Sequence, residues 1–519
     1  MFKPEPPHGN MISDLPDELV QLILHFLPHS FIIQHAVLIS KQFLQAALSN
    51  GLFVHIRQGR ELPHRLLQKL YKATVLNNVI SLEIYHQDRK KVSFAGFSSP
   101  NFKHLTRLRL KSVYLSLDHV KCIMQSGNVQ KLRELDLSEN YEIGANSMQY
   151  IYEAKLDELE SLDLNGCRIG KEGLKLLLLG RNRSLEQDHQ VLHSSSSSSS
   201  NTSSQWFLKN LTHLNLADNE LYDEGATLIA NRCFPHLTHL NLAQNYISHD
   251  GVDAITMNAA ANFKSLRKLT LDRYNDNHVL SPISVNWVRL NRVFDGTESK
   301  RVETSVRYLT SMPCFENAQI ISLNENSITD EGLLEILDRS KNVTDLSLAK
   351  NLFTIQGAKS IGSATNLNKL TRLDLSRNSM MSNEGIRSIL KNPSLRNLTT
   401  LILNESRSSQ EDYMLLFNCP YLSNLTQLDI CFVTRFSKAG VKALGSSPYL
   451  TKLTALHMDG TITCDEASCF AHHCKSLQNL KLLSLGSCFL GEQEESILKN
   501  SLYLQNVTSL NTFTYIERD

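Results

Sequence analysis

LTHLNLADN, residues 211–219, returns almost letter for letter as LTHLNLAQN at residues 237–245. The same phrase reads LRELDLSEN from Leu132 and LTRLDLSRN from Leu370. Its skeleton is L-x-x-L-x-L-x-x-N. Weaker copies start at Val79, Leu105, Leu159, Leu266, Ala318, Val343, Leu398, Leu425, Leu453, Leu480 and Val507. Most neighbouring starts lie 25 to 29 residues apart, and two gaps, 159 to 211 and 266 to 318, are 52. A fixed period of this size marks a chain of similar units stacked one on the next.

One unit is readable from its residues. Its fourth and sixth positions alternate apolar with polar, which predicts a short strand with one buried face. The ninth position is Asn140, Asn219, Asn245, Asn326, Asn351 or Asn378, with Cys167 and Cys488 in two copies. An amide buried there can bond backbone groups freed where the strand turns, and stacked copies predict a ladder. Stretches such as ITDEGLLEILDR from Ile328 and LYDEGATLIANR from Leu221 then place apolar residues at helical spacing. Glu224, Asp330 and Glu331 sit near the starts of these helices, where the dipole favours acid. Each unit is therefore strand, turn, helix. A lone unit cannot cover its apolar face, but a stack can, with parallel strands inside and helices outside. About fifteen units at roughly 4.8 Å per strand give an inner sheet on the order of 70 Å.

The two long gaps read differently. The first holds one unit plus an insertion, and HSSSSSSSNTSS, residues 193–204, has nothing to bury. A disordered Ser-rich insertion is expected at about 186–205. The second predicts an irregular copy at about 275–317, with VNWVRL near Val285 as strand and VETSVRYLT, 302–310, as helix.

The pattern resembles the leucine-rich repeat family, and its helix-bearing units of about 27 residues resemble the ribonuclease-inhibitor type. The resemblance implies an α/β solenoid, a horseshoe with a parallel inner sheet and outer helices, over residues 79–513. Residues 514–519 remain as a C-terminal tail.

Composition narrows the function. The 519 residues are 41% hydrophobic with a formal net charge of +1, which disfavours nucleic-acid binding through bulk charge. No apolar run is long enough to span a membrane, and the opening MFKPEPPHGN reads as a tail without a secretory signal. The ten cysteines include no CxxC pair, so they are expected reduced, in cytoplasm or nucleus. Sequons at Asn210, Asn342, Asn397, Asn424 and Asn506 each precede a repeat start, so repeat phase accounts for them. No Walker, dinucleotide, zincin or nucleophile-elbow string occurs, so no catalysis and no cofactor are expected. The nearest metal-like stretch is CDEASCFAHHC, Cys464–Cys474, whose spacing fits no zinc module and which falls on the helical side of a unit.

One segment stands outside the repeats. In LPDELVQLILHFLP, residues 15–28, Asp14 or Ser13 can cap a helix and Pro16 suits its first turn. Leu15, Leu19, Leu22, Ile23, Phe26 and Leu27 form one stripe, and Val20 and Leu24 widen it beyond what one neighbour can cover. With LISKQF (Ile39, Ser40, Lys41 and Phe43) and then Leu52–Phe53, this resembles the F-box, with Phe where that family has Trp. The resemblance implies a small all-helical F-box-like domain of three helices at 11–56, behind a disordered tail at 1–10. It implies binding to the Skp-type adaptor, and through it a cullin, by Leu15, Pro16, Leu19, Ile23, Leu27, Ile39 and Phe43. Residues 57–78 are then a linker and capping helix, with Leu66, Leu67 and Leu70 on one side.

Residues between the buried positions of each strand face the concave side. Arg107, Arg109, Lys111, Glu134, Asp136, Asp163, His213, His239, Arg372, Asp374 and Asp429 make a mixed polar surface there. Such a surface suits a target protein read by charge pattern. The expectation is a substrate receptor of an SCF-type ubiquitin ligase. The alternative is a repeat scaffold, an inhibitor or a GTPase regulator without ligase function.

Overall fold

The computed structural model describes residues 52–57, 63–72, 79–85, 92–180, 208–271, 287–289, 299–406 and 409–512. They divide into two compact units, 1–246 with 261–265, and 247–260 with 266–519. The Ser-rich insertion, both tails and all seven expected adaptor contacts lie outside the described residues.

The first unit runs β1 (Leu52–Arg57), α1 (Pro63–Lys72), β2 (Val79–Tyr85), β3 (Arg107–Arg109), α2 (Leu117–Met124), β4 (Glu134–Asp136) and α3 (Met148–Glu153). It continues with β5 (Ser161–Asp163), α4 (Gly170–Leu179), β6 (His213–Asn215), α5 (Tyr222–Ala230) and β7 (His239–Asn241). All its strand pairs are parallel, from β1 to β7 in sequence order. The middle residue of each strand, Leu108, Leu135, Leu162, Leu214 or Leu240, is buried while its neighbours are partly exposed.

The start of this sheet corrects the sequence-based boundary. Residues 52–57 form a strand paired with β2, not the end of a helical domain. Alternating burial of Val54 and Ile56 against that sheet decides it. The helix expected as a cap is α1, which buries Leu67 and Leu70 as the helix of a complete first repeat. Among the described residues the stack therefore begins at Leu52, one strand before the Val79 copy.

Helix α6 (His249–Asn262) contributes to both units. The second unit runs β8 (Lys268–Thr270), β9 (Trp287–Arg289), α7 (Ser299–Thr310), α8 (Pro313–Glu316), β10 (Ile320–Ser322), α9 (Asp330–Arg339), β11 (Asp345–Ser347) and α10 (Ile355–Ser363). Then come β12 (Arg372–Asp374), α11 (Ser382–Ile389), β13 (Thr400–Ile402), α12 (Gln410–Phe417), β14 (Gln427–Asp429) and α13 (Lys438–Gly445). Last are β15 (Ala455–His457), α14 (Cys464–His473), β16 (Leu482–Ser484), α15 (Glu492–Lys499) and β17 (Ser509–Asn511). Its strands are again parallel and paired in order. The irregular copy is real: β9 pairs with β8 and β10, and α7 is its helix. Across the first long gap β5 pairs directly with β6.

The ninth-position amides form the expected ladder. Asn219 accepts from the N–H groups of Cys167 and Ile169, both at 3.2 Å, and donates to Leu164 O and Leu216 O. Asn351 accepts from Asn326 and Ile328 in the same way, and Asn378 accepts from Asn351. Where cysteine replaces asparagine, the Cys167 thiol donates to Leu137 O at 3.1 Å. The residue before the ninth position, whether or not an amide fills it, takes a left-handed backbone in copy after copy, from Glu139 and Asp218 to Arg377, Glu405 and Phe432. Glycine fills that position at Gly166 and Gly460. Within each unit these repeats build an α/β solenoid of leucine-rich repeats.

Candidate functional site: the solvent faces of the two sheets

Each strand buries its middle residue, so its two flanking side chains stand on the opposite sheet face. In the first unit the expected charges are brought together, and they engage one another. Glu134 accepts from Arg107 Nε at 2.5 Å and from Arg109 Nε, and Arg109 also lies 3.9 Å from Glu83. Lys111 pairs with Glu139 at 2.9 Å, which holds the lysine above and the carboxylate below its ordinary range. Asp136 accepts from Ser138 N at 2.9 Å and Ser138 Oγ at 2.6 Å. Asp163 stands opposite Asp136 in register. Burial first, and the Asp136 charge second, push its carboxyl up to about 6, against donation from the Asn165 backbone and the Asn215 amide.

His213 and His239 stack with ring centroids 4.0 Å apart. The hydroxyls of Thr212 and Thr238 each donate to a backbone carbonyl at 2.9 Å. The ring Nδ1 atoms lie 2.8 and 2.7 Å from these same hydroxyl oxygens, within hydrogen-bond reach. Beside this face, exposed Tyr222 and Tyr246 stack at 5.6 Å, and the Arg168 guanidinium lies 5.5 Å over the Tyr141 ring. Stacked aromatics and arginine are the side chains enriched where proteins meet.

In the second unit Arg372 lies between Asp345 at 3.5 Å and Asp374 at 3.7 Å. Beyond the strand ends a groove of about 1800 Å³ is lined by Asn324, Lys350, Asn404, Asp429, Phe432 and His457 among others. Lys350 pairs with Glu325 at 2.9 Å, and Arg377 pairs with Glu405 at 2.5 Å. Of the concave positions the sequence points to, Asp429, and with it His457 and Asp459 of the next copy, line this groove. The rest of its wall comes from the turns after the strands. Reading those turn positions in register across copies, instead of the strand positions alone, would have found it.

Among the described residues, no three histidines, cysteines or carboxylates gather as metal ligands. Cys469 Sγ lies 3.7 Å from His473 Nδ1 on α14, while Cys474 is buried. Asp330 does more than meet its own helix dipole: it accepts from Thr354 N at 2.7 Å and Gly357 N at 2.8 Å, capping α10. No described helix is long and apolar enough to cross a membrane.

A leucine-rich repeat family model matches residues 159–178, 207–230, 235–255 and 366–390. No curated protein matches the sequence. Among solved structures, the chain is similar to that of the yeast Rad7 and Elc1 complex, at 14% identity and TM-score 0.36, over 96% of this chain and 88% of that one. It is also similar to an internalin of Listeria monocytogenes, at 16% identity and TM-score 0.38, over 86% of this chain and 93% of that one.

Proposed function

We propose that this chain is the substrate-recognition subunit of an SCF-type ubiquitin ligase. The observation that carries the reading is LPDELVQLILHFLP, whose apolar residues exceed one stripe and which lies wholly ahead of the first repeat. That repeat is complete in β1, α1 and β2, so its helix and strands come from residues 52–85. In this reading the F-box-like segment serves a partner other than the repeats. In this reading Leu15, Pro16, Leu19, Ile23, Leu27, Ile39 and Phe43 bind the Skp-type adaptor, and the repeat faces hold a target protein. The chain performs no covalent step. It raises the effective concentration of a target lysine near ubiquitin charged elsewhere.

The test is a pull-down from cells of the wild type and a Leu15→Asp/Pro16→Asp variant, probed for adaptor and cullin. The wild type is expected to bring down both and the variant neither, with unchanged circular dichroism. A folded wild type that brings down no adaptor would leave a leucine-rich-repeat interaction protein of another kind, such as a scaffold, inhibitor or GTPase regulator.

A further inference from the structure

One strand position has a regular bonding habit in both units. Asp136, Asp163, Asn215, Asn241 and Asp374 all accept, through Oδ1, from the backbone N–H two residues on, at 2.9 to 3.2 Å. Asp429 occupies the same position, aligned through Ile402 with Asp374. Here the donor is diverted: the Cys431 N–H goes to Asn404 Oδ1 at 2.7 Å. Asp429 Oδ1 is left buried with no hydrogen-bond partner. A buried carboxylate oxygen without a donor is costly, and such atoms in folded proteins call for a missing partner.

The surroundings say what kind of partner fits. Both groove cations, Lys350 and Arg377, are already matched by Glu325 and Glu405. Asp429 and Asp459 remain as carboxylates without a basic side chain against them. Asp459 is 9% exposed and its Oδ1 is held by Ser484 Oγ and Gly486 N at 2.6 and 2.7 Å. Burial, these two charges and a hydrogen bond from the Cys431 S–H to the Asp429 carboxylate together push the Cys431 thiol upward, so the nearby donor to Asp429 is a weak thiol and not an N–H or a cation. At the groove edge Phe432 is 50% exposed, on a turn position that carries charge in the three preceding copies, Lys350, Arg377 and Glu405. Its ring lies over Gly460, where an added Cβ would approach Cδ1 to 2.8 Å. The lining reaches from the β10 turn to the β16 turn, six strand steps or roughly 29 Å, which is about nine residues of extended chain.

We propose that this groove binds an extended basic segment of a partner protein, a lysine or arginine entering between Asp429 and Asp459 with an apolar neighbour on Phe432. The inference rests on the reading that the repeats hold a target, and it names the target's chemistry. An N–H donor from the incoming cation completes the Asp429 shell that the fold leaves open.

The test is selection of a random 12-residue peptide library on phage against the full chain and against Asp429→Asn. Lysine or arginine beside an aromatic or aliphatic residue is expected to be enriched on the wild type. The winning peptides, remade with a fluorophore, are expected to bind Asp429→Asn at least about 10-fold more weakly, and to lose as much when the lysine is acetylated. Phe432→Ser is expected to weaken them independently. Asp429→Asn is expected to melt no lower than the wild type, since the carboxylate charge is gone. Acidic or uncharged winners, no enrichment, or equal binding to wild type and Asp429→Asn would overturn the proposal. Asp429→Asn should still bring down adaptor and cullin, so loss of the peptide and loss of the ligase reading register in separate experiments.

Discussion

Arg387 on α11 donates through Nε to Asp412 on α12 at 2.5 Å, and the carboxylate it meets is 0% exposed. The other oxygen of Asp412 accepts from the Ser409 hydroxyl at 2.6 Å, closing a capping box at the start of α12. One buried acid thus joins a helix start to the helix of the preceding repeat. Arg387→Leu strands that charge, and the cost is set below the full value for a buried pair because Arg387 is half-exposed. The expected loss is about 2 kcal/mol in urea unfolding, and Arg387→Leu/Asp412→Asn should recover part of it.

The stacked amides make the inner turn stiff, and this separates two kinds of asparagine. Asn219→Ala removes the acceptor of the buried Cys167 and Ile169 N–H groups and the donor to Leu164 O, while Leu216 O keeps the Asn245 amide. It is expected to destabilise by about 3 kcal/mol or more. Asn210 makes one exposed bond, to Asp157 O at 2.7 Å, and Asn210→Ala is expected to lose less than about 1 kcal/mol. Equal losses would refute the distinction.

Asp163 gives stability a dependence on pH. Its carboxyl rises from the ordinary 3.8 to about 6 on folding, so the folded chain holds a proton that the unfolded chain has released. Its contribution is therefore best below about pH 4, declines as pH rises to about 6, and stays low above that. Asp163→Asn keeps the acceptor for Asn165 and drops the charge facing Asp136. The variant is expected to gain about 1–2 kcal/mol at pH 7.5 and close to nothing at pH 4, read from paired denaturation curves.

Gly357 sits where the Asp330 cap closes on α10. A Cβ there would meet Asp330 Oδ1 at 2.6 Å and Phe353 Cβ at 2.8 Å. Gly357→Ala is expected to lower Tm, in contrast to the usual gain from alanine in a helix, and Asp330→Ala should lower it through the lost cap. A raised Tm for Gly357→Ala would show that the cap can move aside.

The fold was legible because its signals repeat. Leucines at fixed offsets, a ninth-position amide and acids before helices pointed to the same unit many times, and even the irregular copy around Trp287 could be placed. The first strand escaped because Leu52–Arg57 carries the alternation without the phrase. The candidate site was legible only in part. Sequence places Arg107, Arg109 and Glu134 on one face but does not show that they satisfy each other. Nor does it show that Asn404 takes the donor of Asp429, since that depends on a turn 27 residues away.

The sequons now have a physical account. Asn210, Asn342, Asn397, Asn424 and Asn506 each donate to a carbonyl of the preceding repeat. The threonine two residues on does the same, as Thr212 does to Glu160 and Thr426 to Thr399. The motif recurs because both of its polar residues tie neighbouring copies together.

Strands β5 and β6 pair residue for residue, Ser161 with His213 through Asp163 with Asn215, although residues 181–207 come between α4 and β6. The length of a connection costs little once its ends are held, since doubling it adds only about 0.6 kcal/mol for a flexible one. For an evolving gene this junction is a place where sequence can lengthen, shorten or diverge without disturbing the architecture on either side. For the experimenter it is a port: an affinity tag, a fluorophore site or a protease site inserted there reports on the chain while leaving both sheet faces as they are.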